Sequence, residues 1–280
     1  RRWGEPRQFP FEAKAHWDIG ADLKILDPET AAKVTGKRFH FYRGLGARLE
    51  WALLNFFVNE HLGDGSELIL PPHMLNYECG YVAGQFPKFS DEDYWIQNPT
   101  SADRKFLLPT AETALVNLHR NEVLTNEELP RKYIAYTPCY RREAGSYRAE
   151  ERGMIRGHQF NKVEMVQYTR PDQSDAAFAE LVGKAERLVQ ELGLHYRLSK
   201  LAAGDCSFSM ARTYDIEVWI PSMGIYKEVS SASNARDYQA RRGNIKFRGE
   251  DKKLQFVHTL NASGLATSRL MPAIVEQYQN

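Results

Sequence analysis

The stretch Pro138–Glu164 reads PCYRREAGSYRAEERGMIRGHQFNKVE, and it predicts the element around which the fold is built. Tyr133–Tyr140 is rich in aromatic and β-branched residues, and Phe160–Thr169 alternates apolar with polar residues. Both patterns are typical of β-strands. Because the segment between them is polar and punctuated by glycine, the sequence predicts an antiparallel strand–loop–strand unit whose loop can close over a ligand.

Positive charge is concentrated in this stretch, although the whole chain has a formal net charge of only +1. The stretch contains five arginines, which are Arg141, Arg142, Arg148, Arg152 and Arg156. A guanidinium presents a planar fork of donors that suits phosphate or carboxylate, so this concentration indicates a polyanionic ligand. Composition alone is equally compatible with a hairpin whose charged loop is simply solvated.

Bulk properties indicate an α+β protein. A chain of 280 residues that is 42% hydrophobic can bury a sizeable core, as one large domain or two small ones. Helical and strand patterns alternate without a regular βαβ rhythm, which argues against a parallel sheet. No apolar run approaches the roughly 20 residues that span a bilayer. Because Cys79, Cys139 and Cys206 are far apart and form no CxxC pair, we expect reduced thiols, no zinc site and a cytoplasmic setting.

Periodicity predicts the scaffold on which the arginine-rich unit rests. Residues 1–20 are expected to be an irregular lead-in, since they contain two prolines. A strand at Glu67–Leu70 runs into Pro71-Pro72, which forces a sheet edge or an interface. Helices are predicted at Pro28–Thr35, Gly44–His61, Leu107–Arg120, Ser174–Leu192 and Leu265–Gln277, the last kinked or interrupted at Pro272.

Polar residues near the helix starts have two interpretations. Thr110 is expected to cap the helix Leu107–Arg120, with Glu112 in its first turn, and capping alone explains both residues. The polar run Asn261–Gly264 precedes the last helix, and Ser263 is expected to be its N-cap.

Two further segments suggest a metal site or a plain hairpin. Tyr214–Ile220 alternates cleanly, and after a turn Ile225–Ser231 returns as a second strand that carries Glu228. Carboxylates on adjoining strands could hold a hard cation, and they could equally face solvent. The run Ser230–Asn234 is expected to be a polar turn.

Six stretches, in order along the chain, carry a resemblance to one family: PCYRREAGSY, RGMIRGHQFNKVEM, TYDIEVWIP, KEVSSASN, QARR and HTLNASGLATSR. They resemble seryl-tRNA synthetases of the bacterial type, which are class II aminoacyl-tRNA synthetases, from about Trp3 to the last residue. The resemblance implies an antiparallel β-sheet flanked by helices, with residues 1–280 as the catalytic domain. It also implies a homodimer formed through Gly44–Pro72 and a cytoplasmic enzyme, with an organellar matrix left open.

The resemblance implies a role in ATP binding for several residues of the arginine-rich unit. Arg141 matches the arginine that bridges the α-phosphate and the amino acid carboxylate. Glu143 matches the residue that reads the adenine amino group, and Phe160 matches the ring that stacks on adenine. Arg156 matches the arginine on the outer phosphates, and Arg269 matches the arginine on the γ-phosphate.

The resemblance also implies a magnesium site and a serine pocket. Glu228 and Ser231 match the pair that binds Mg²⁺, and the catalytic set is Arg141, Arg269 and Glu228. The residues that match the serine pocket are Thr110, Glu112, Arg141, Glu164, Asn261 and Ser263.

The implied reaction joins serine to ATP, giving seryl-adenylate and pyrophosphate, and then transfers serine to the 3′ end of tRNA(Ser). No side-chain nucleophile is needed, so positioning and cationic groups should supply most of the acceleration. A pocket that hydrogen-bonds a hydroxyl rejects an analogue lacking it by about 10⁴–10⁵-fold, so alanine should be refused. Threonine has to be excluded sterically.

One feature of the family has no counterpart in this sequence, and two other functions fit as well. The family carries an N-terminal coiled-coil arm that grips tRNA, whereas this chain shows no sustained heptads and starts about where the core should start. The arm is therefore expected to be absent, whether removed or naturally lacking, and transfer to tRNA is expected to be weak. One alternative is a paralogue that loads serine onto a carrier protein or small molecule. Another is a non-catalytic RNA-binding or regulatory relative, which the full set of ATP and serine residues argues against.

Overall fold

The computed structural model describes residues 1–97, 104–144 and 153–280. Arg148 and Arg152, two of the five arginines of the predicted loop, lie outside the described residues. The helices of the described part are α1 His16–Asp22, α2 Pro28–Val34, α3 Leu45–Gly63, α4 Tyr77–Ala83, α5 Glu112–Leu115, α6 Ser174–Glu191, α7 Tyr238–Gly243 and α8 Thr267–Gln277.

The strands of the same ranges form one large sheet and two small ones. They are β1 Arg2–Trp3, β2 Glu67–Leu68, β3 Met74–Asn76, β4 Trp95–Ile96, β5 Lys105–Leu107, β6 Val123–Thr125, β7 Arg131–Tyr140, β8 Gln159–Thr169, β9 Tyr196–Lys200, β10 Arg212–Ile220, β11 Ile225–Arg236, β12 Lys246–Arg248, β13 Leu254–Phe256 and β14 His258–Ala266. The large sheet has the order β1-β9-β10-β11-β14-β8-β7-β2. Its pairs are antiparallel except β2 with β7. The predicted α+β class with an antiparallel sheet is therefore confirmed.

The predicted strand–loop–strand unit forms the β7–β8 pair. The two strands are in register from Arg131 opposite Tyr168 to Tyr140 opposite Gln159. Side chains alternate between the faces of a strand, so β8 contributes to both layers of the protein. Met165 belongs to the core cluster that includes residues of α3, α6 and α8, whereas Tyr168 belongs to a second cluster on the other face.

Two amphipathic helices cover one face of the sheet, as their periodicity predicts. Phe57 of α3 and Phe178 and Leu188 of α6 are buried in the same cluster as Ile216 of β10. The predicted helices at Pro28–Thr35, Gly44–His61 and Ser174–Leu192 are confirmed to within two residues at each end. Because these helices occupy one face, the opposite face is left for smaller elements and for the cavity described below.

The predicted helix Leu107–Arg120 is much shorter, since only Glu112–Leu115 is α-helical. Leu107 ends β5, and Pro109 interrupts the backbone ladder before the helix. After the helix the chain tightens into three-residue turns, with Leu118 N donating to Leu115 O at 3.3 Å and Arg120 N donating to Asn117 O at 3.1 Å. Thr110 is therefore not the N-cap, which is Ala111.

The predicted polar turn and the predicted N-cap segment of the last helix both lie in central strands instead. Ser230–Asn234 lies inside β11, which pairs with β10 on one side and β14 on the other. Asn261–Gly264 lies inside β14, and the last helix begins only at Thr267 with Ala266 as its N-cap, so Ser263 caps nothing. Ladder bonds to neighbours on both sides outweigh the local turn preference of serine, asparagine and glycine.

Smaller corrections concern the two ends of the chain and the proline strand. The lead-in contains β1, which pairs with β9, and the start of α1. The predicted strand Glu67–Leu70 is only Glu67–Leu68. The last helix continues through Pro272 to Gln277 and is not interrupted there. Within the described ranges, no helix is both long and apolar enough to cross a bilayer.

Candidate active site

The predicted site residues surround two adjoining cavities on the face of the sheet opposite α3 and α6. The larger measures about 450 Å³ and the smaller about 90 Å³. Four of the predicted residues line both cavities: Arg141, Glu143, Glu228 and Ser263. Five line only the larger cavity: Thr110, Glu112, Glu164, Ser231 and Asn261. Three line only the smaller cavity: Arg156, Phe160 and Arg269. A separate cavity of about 410 Å³ near Trp17 and Phe39 contains none of them.

Arg141 lies at the junction of the two cavities, immediately after β7. Its backbone N donates to His158 O at 2.9 Å, and its Nε donates to Pro109 O at 3.2 Å. The guanidinium carbon lies 5.3 Å from the centre of the Phe160 ring. These contacts fix the stem and one nitrogen of Arg141, and they aim the rest of the guanidinium into the site.

The smaller cavity is bounded by two arginine–glutamate contacts. Arg156 forms a short ion pair with Glu143, which stands at a positive φ of 52°. Arg269 in the first turn of α8 donates from Nη1 to Glu228 O at 3.0 Å, and its Nη1 lies 3.4 Å from Glu228 Oε2. Arg269 Nε also donates to Ile155 O at 3.1 Å. Arg269 is thus held by two backbone carbonyls and Glu228, and Arg156 by Glu143, at the edge of the smaller cavity.

An irregularity in β11 lets Glu228 and Ser231 reach the same cavity. A spacing of three would place the two side chains on opposite faces of a regular strand. The register jumps from Glu217 opposite Glu228 to Ile216 opposite Ser230, so Val229 is an extra residue, a β-bulge. The bulge restores both side chains to the cavity side.

The inner end of the larger cavity is built from buried polar groups. Glu112 Oε1 accepts a hydrogen bond of 2.7 Å from Gln239 Nε2, and Gln239 Oε1 accepts one of 2.6 Å from Thr259 Oγ1. Thr110 Oγ1 is 3.4 Å from Glu112 N. Carboxylate and hydroxyl oxygens of this kind can receive an ammonium group.

The opposite wall of this cavity is formed by β8 and β14. Phe160, Lys162 and Glu164 alternate along β8 on its cavity side, and Ser263 is in register with Glu164. Lys162 Nζ is 2.7 Å from Glu164 Oε2 and donates to Thr110 Oγ1 at 2.6 Å. Asn261 Nδ2 lies 3.5 Å from Glu164 Oε1. The wall therefore offers both donors and acceptors to a small polar ligand.

Burial raises the pKa values of three carboxyl groups in and beside the site. Burial, followed by the charge of Glu164, raises the pKa of Glu112 to about 7. Burial also raises the pKa of Asp93 to about 7, against the opposing effect of Arg141. Burial and the charge of Glu228 raise the pKa of Asp215 to about 7.

The donor set around Glu228 fits a magnesium ion shared with a phosphate ligand. Asp215 faces Ser231 across the β10–β11 ladder, and its buried Oδ1 has no hydrogen-bond partner among the described residues. The mutual repulsion that raises the pKa of Asp215 would be relieved by a cation near both carboxylates. No cluster of three or more His, Cys, Asp or Glu residues in the described ranges is arranged to hold a metal by itself. Mg²⁺ commonly uses one or two carboxylates together with substrate phosphates, which this arrangement allows.

Sequence reasoning missed three residues of the site. Lys162 lies two residues from Phe160 and two from Glu164, so strand alternation alone would have placed it beside them. Asp215 lies in the strand predicted at Tyr214–Ile220, where the sequence allowed a cation-binding carboxylate but did not indicate which residue. Gln239 gave no local signal, because its contact with Glu112 joins residues 127 positions apart.

The comparisons with known proteins agree on one family. The model for the tRNA synthetase class II core domain (G, H, P, S and T) matches residues 94–278. The chain is 66% identical over 280 residues to a serine–tRNA ligase 2 of Clostridium acetobutylicum, covering 99% of this chain and 66% of that protein. The chain therefore spans just under two thirds of the length of this relative.

Two solved structures share the fold of this chain over nearly its whole length. Seryl-tRNA synthetase of Pyrococcus horikoshii complexed with ATP superposes with a TM-score of 0.92 at 37% identity, over 97% of this chain and 60% of that one. Cytoplasmic serine–tRNA ligase of Naegleria fowleri in complex with AMP superposes with a TM-score of 0.93 at 32% identity, over 100% of this chain and 67% of that one. The resemblance found in the sequence is confirmed: the chain belongs to the class II tRNA synthetase family, in its seryl-tRNA synthetase group.

Proposed function

We propose that this chain activates L-serine with ATP and Mg²⁺, forming seryl-adenylate and pyrophosphate, and that the adenylate serves to charge tRNA(Ser). Residues 1–280 are proposed to be the catalytic domain of a serine–tRNA ligase. The observation that carries the proposal is the convergence of twelve predicted residues, from six separate stretches of the chain, on two cavities that meet at Arg141.

The position of Arg141 suits the bond-forming step. Its guanidinium faces both the larger cavity, proposed for serine, and the smaller one, proposed for the nucleotide phosphates. A planar fork can bind the serine carboxylate and the α-phosphate together, which brings two anions into reacting distance. The serine carboxylate oxygen attacks the α-phosphorus. The bond between the α-phosphorus and the pyrophosphate oxygen breaks, and pyrophosphate leaves. No proton transfer to a side chain is required.

Charge that moves onto the leaving pyrophosphate needs compensation, and the smaller cavity supplies it. Arg156 and Arg269 line this cavity, where fixed cations stabilise the transition state without reorganising. Glu228 and Ser231 are the residues proposed to hold Mg²⁺, which when bound neutralises phosphate charge. Phe160, beside Arg141, offers a flat apolar face on which adenine can stack.

Serine selection is proposed to lie at the buried end of the larger cavity. The ammonium group is assigned to Thr110 and Glu112, and the hydroxyl to Glu164 with Asn261 or Ser263. Asn261 Oδ1 is buried with no partner among the described residues, so a ligand hydroxyl there would satisfy it. An amino acid without a hydroxyl leaves these groups unpaired, which is the basis for refusing alanine.

Amino-acid-dependent exchange of pyrophosphate into ATP tests the proposal directly. Exchange is expected with serine, and it should fall by about 10⁴-fold with alanine because the pocket's polar groups stay unpaired. Threonine and glycine complete the panel. If none of these amino acids supports exchange, the proposal that the chain is an enzyme is refuted. If another amino acid supports exchange and serine does not, the serine assignment is refuted.

The partners are proposals of the same kind. Assays of serine transfer to tRNA(Ser) and to a carrier protein separate a ligase from a carrier-loading paralogue. A homodimer through Gly44–Pro72 is supported by the exposure of large apolar side chains in that segment, namely Leu45, Trp51, Leu62, Leu68 and Leu70.

A cytoplasmic location is supported by three unpaired cysteines, with an organellar matrix left open.

A further inference from the structure

Lys162 lies at the centre of the site although no role was predicted for it. Its side chain is only 7% exposed, and its Nζ reaches Thr110 Oγ1 at 2.6 Å and Glu164 Oε2 at 2.7 Å. Those two residues are assigned to the ammonium and hydroxyl groups of serine. Lys162 also lines both cavities, which only a few residues do.

The contact with Thr110 conflicts with serine binding. A threonine hydroxyl has two acceptor positions. In this structure one receives Lys162 Nζ, and the other faces Glu112 N at 3.4 Å. The ammonium group of serine needs the position that Lys162 fills, and two ammonium groups at one acceptor repel each other. The lysine therefore has to leave Thr110 when serine binds there.

The smaller cavity is the place to which the lysine can turn. A buried ammonium must stay paired with anionic or polar partners, because an unpaired charge in the interior is very costly. The groups that face Lys162 from neighbouring elements are Glu112, Arg141 and the Cys139 thiol, together with Glu164 on its own strand. When serine takes the place of Nζ on Thr110, Glu164 still pairs with the lysine on one side, and the phosphate oxygens of ATP can supply the partner that Thr110 no longer provides. Lysine has a flexible four-carbon stem that allows such a movement.

We propose that Lys162 couples the two substrates: it occupies the ammonium position while the amino acid is absent, and it turns towards the nucleotide phosphates when serine displaces it. This inference rests on the proposed function, since it takes serine and ATP as the two ligands. Serine binding thus moves the Lys162 ammonium group into the cavity proposed for the phosphates, and this added cation tightens ATP binding. By thermodynamic linkage, ATP must tighten serine binding by the same factor.

The coupling can be measured with α,β-methylene-ATP, which cannot be cleaved between its α- and β-phosphorus atoms. Its Kd is determined by calorimetry with Mg²⁺, with and without saturating serine, for the wild type, Lys162→Met and Lys162→Gln. Serine should tighten wild-type binding by about fivefold or more, a typical coupling. In both variants the factor should fall below about twofold. Lys184→Met is the matched control, because Lys184 is also buried and ion-paired, to Glu180 at 2.9 Å, but lies on α6 away from both cavities.

The outcomes separate this inference from the proposed function. An unchanged coupling factor in folded Lys162→Met or Lys162→Gln overturns the inference and leaves serine activation standing. If the wild type binds another amino acid and not serine, the proposed function fails, and the same comparison with that amino acid decides the role of the lysine. A structure of the wild type with serine and the analogue needs no variant: Nζ still within hydrogen-bond distance of Thr110 Oγ1 would overturn the inference.

Discussion

Gln239 Nε2 donates a hydrogen bond of 2.7 Å to Glu112 Oε1, joining α7 to α5 beside the larger cavity. Gln239 is itself fixed by Thr259 Oγ1 at 2.6 Å and by its own donation to Ala83 O at 3.1 Å. A neutral amide therefore orients the carboxyl group. Burial, followed by the charge of Glu164, outweighs the opposing charges of Lys162 and Arg141 and raises the pKa of Glu112 to about 7.

Serine binding should depend on pH through Glu112. Below a pKa of about 7 this carboxyl group is protonated and pairs poorly with an ammonium group. The KM for serine in pyrophosphate exchange should rise by roughly tenfold between pH 8 and pH 6, with ATP saturating. In Glu112→Gln the KM should be high at every pH. The same pH dependence in this variant would assign the titration to another group, such as Asp93 or Asp215.

Glu112→Gln should also stabilise the fold at high pH. The pKa of Glu112 is raised in the folded state, so its contribution to stability is complete below the unfolded value and is lost as pH rises through about 7. Glutamine keeps the acceptor for Gln239 and carries no charge. Urea unfolding should show the variant more stable by up to about 3 kcal/mol at pH 8, with the difference vanishing near pH 4. A variant less stable at pH 8 would contradict the buried-charge argument.

Arg141→Ala should abolish exchange without unfolding the protein. The side chain is the bridge proposed between the carboxylate and the α-phosphate, and loss of such a group typically costs at least 10²–10³-fold in kcat. Arg142→Ala is the matched control, since its exposed guanidinium donates to Asp91 O at 3.0 Å and lines neither cavity. Rates and thermal unfolding are measured for both. Equal losses in the two variants would point to general electrostatics.

Glu50 of α3 is expected to position the nucleotide site from outside. Its Oε1 accepts from Asn161 Nδ2 at 2.8 Å and from Thr267 Oγ1 at 2.6 Å. Asn161 follows Phe160 directly, and Thr267 is two residues before Arg269. Glu50→Ala should raise the KM for ATP by about tenfold, the size of one lost charged hydrogen bond. Glu50→Gln keeps the Oε1 acceptor and should restore ATP binding. If both variants lose it equally, the charge rather than the acceptor is required.

Leu70→Asp should weaken the proposed dimer. Leu70 is 75% exposed and follows β2 in the segment that carries several other exposed apolar side chains. A carboxylate there would be buried without a partner in a subunit interface. Light scattering after size exclusion should show a dimer for the wild type and a monomer for the variant. Leu23→Asp, at a 62% exposed leucine outside the segment, should remain dimeric; a monomeric wild type would contradict the proposal.

The local pattern of the sequence was sufficient where one element decides the outcome. The two-residue period of β8 predicted a strand and placed Phe160 and Glu164 on one face. The apolar stripe of α6 predicted a helix that ends within a residue of its true end. The order of six motifs along the chain was enough to indicate the family, which the comparisons confirm.

Composition failed where pairing with distant residues decides the structure. The runs Ser230–Asn234 and Asn261–Gly264 have the composition of turns, yet each lies in a strand with partners on both sides. The bulge at Val229 was equally invisible, although it alone brings Glu228 and Ser231 to one cavity. The sequence could name these residues through resemblance, but it could not derive their placement.

By itself, then, the sequence determined which segments are strands and helices where the period is clear, and which side chains carry the chemistry. Only the tertiary structure decided how those side chains meet: Lys162 donates to Thr110, Gln239 donates to Glu112, and Asp215 lies opposite Ser231 on the neighbouring strand. The physical reason is the separation along the chain over which each interaction acts. Backbone periodicity acts over a few residues, whereas burial, ladder register and charge pairing join groups that the chain separates by tens to hundreds of positions.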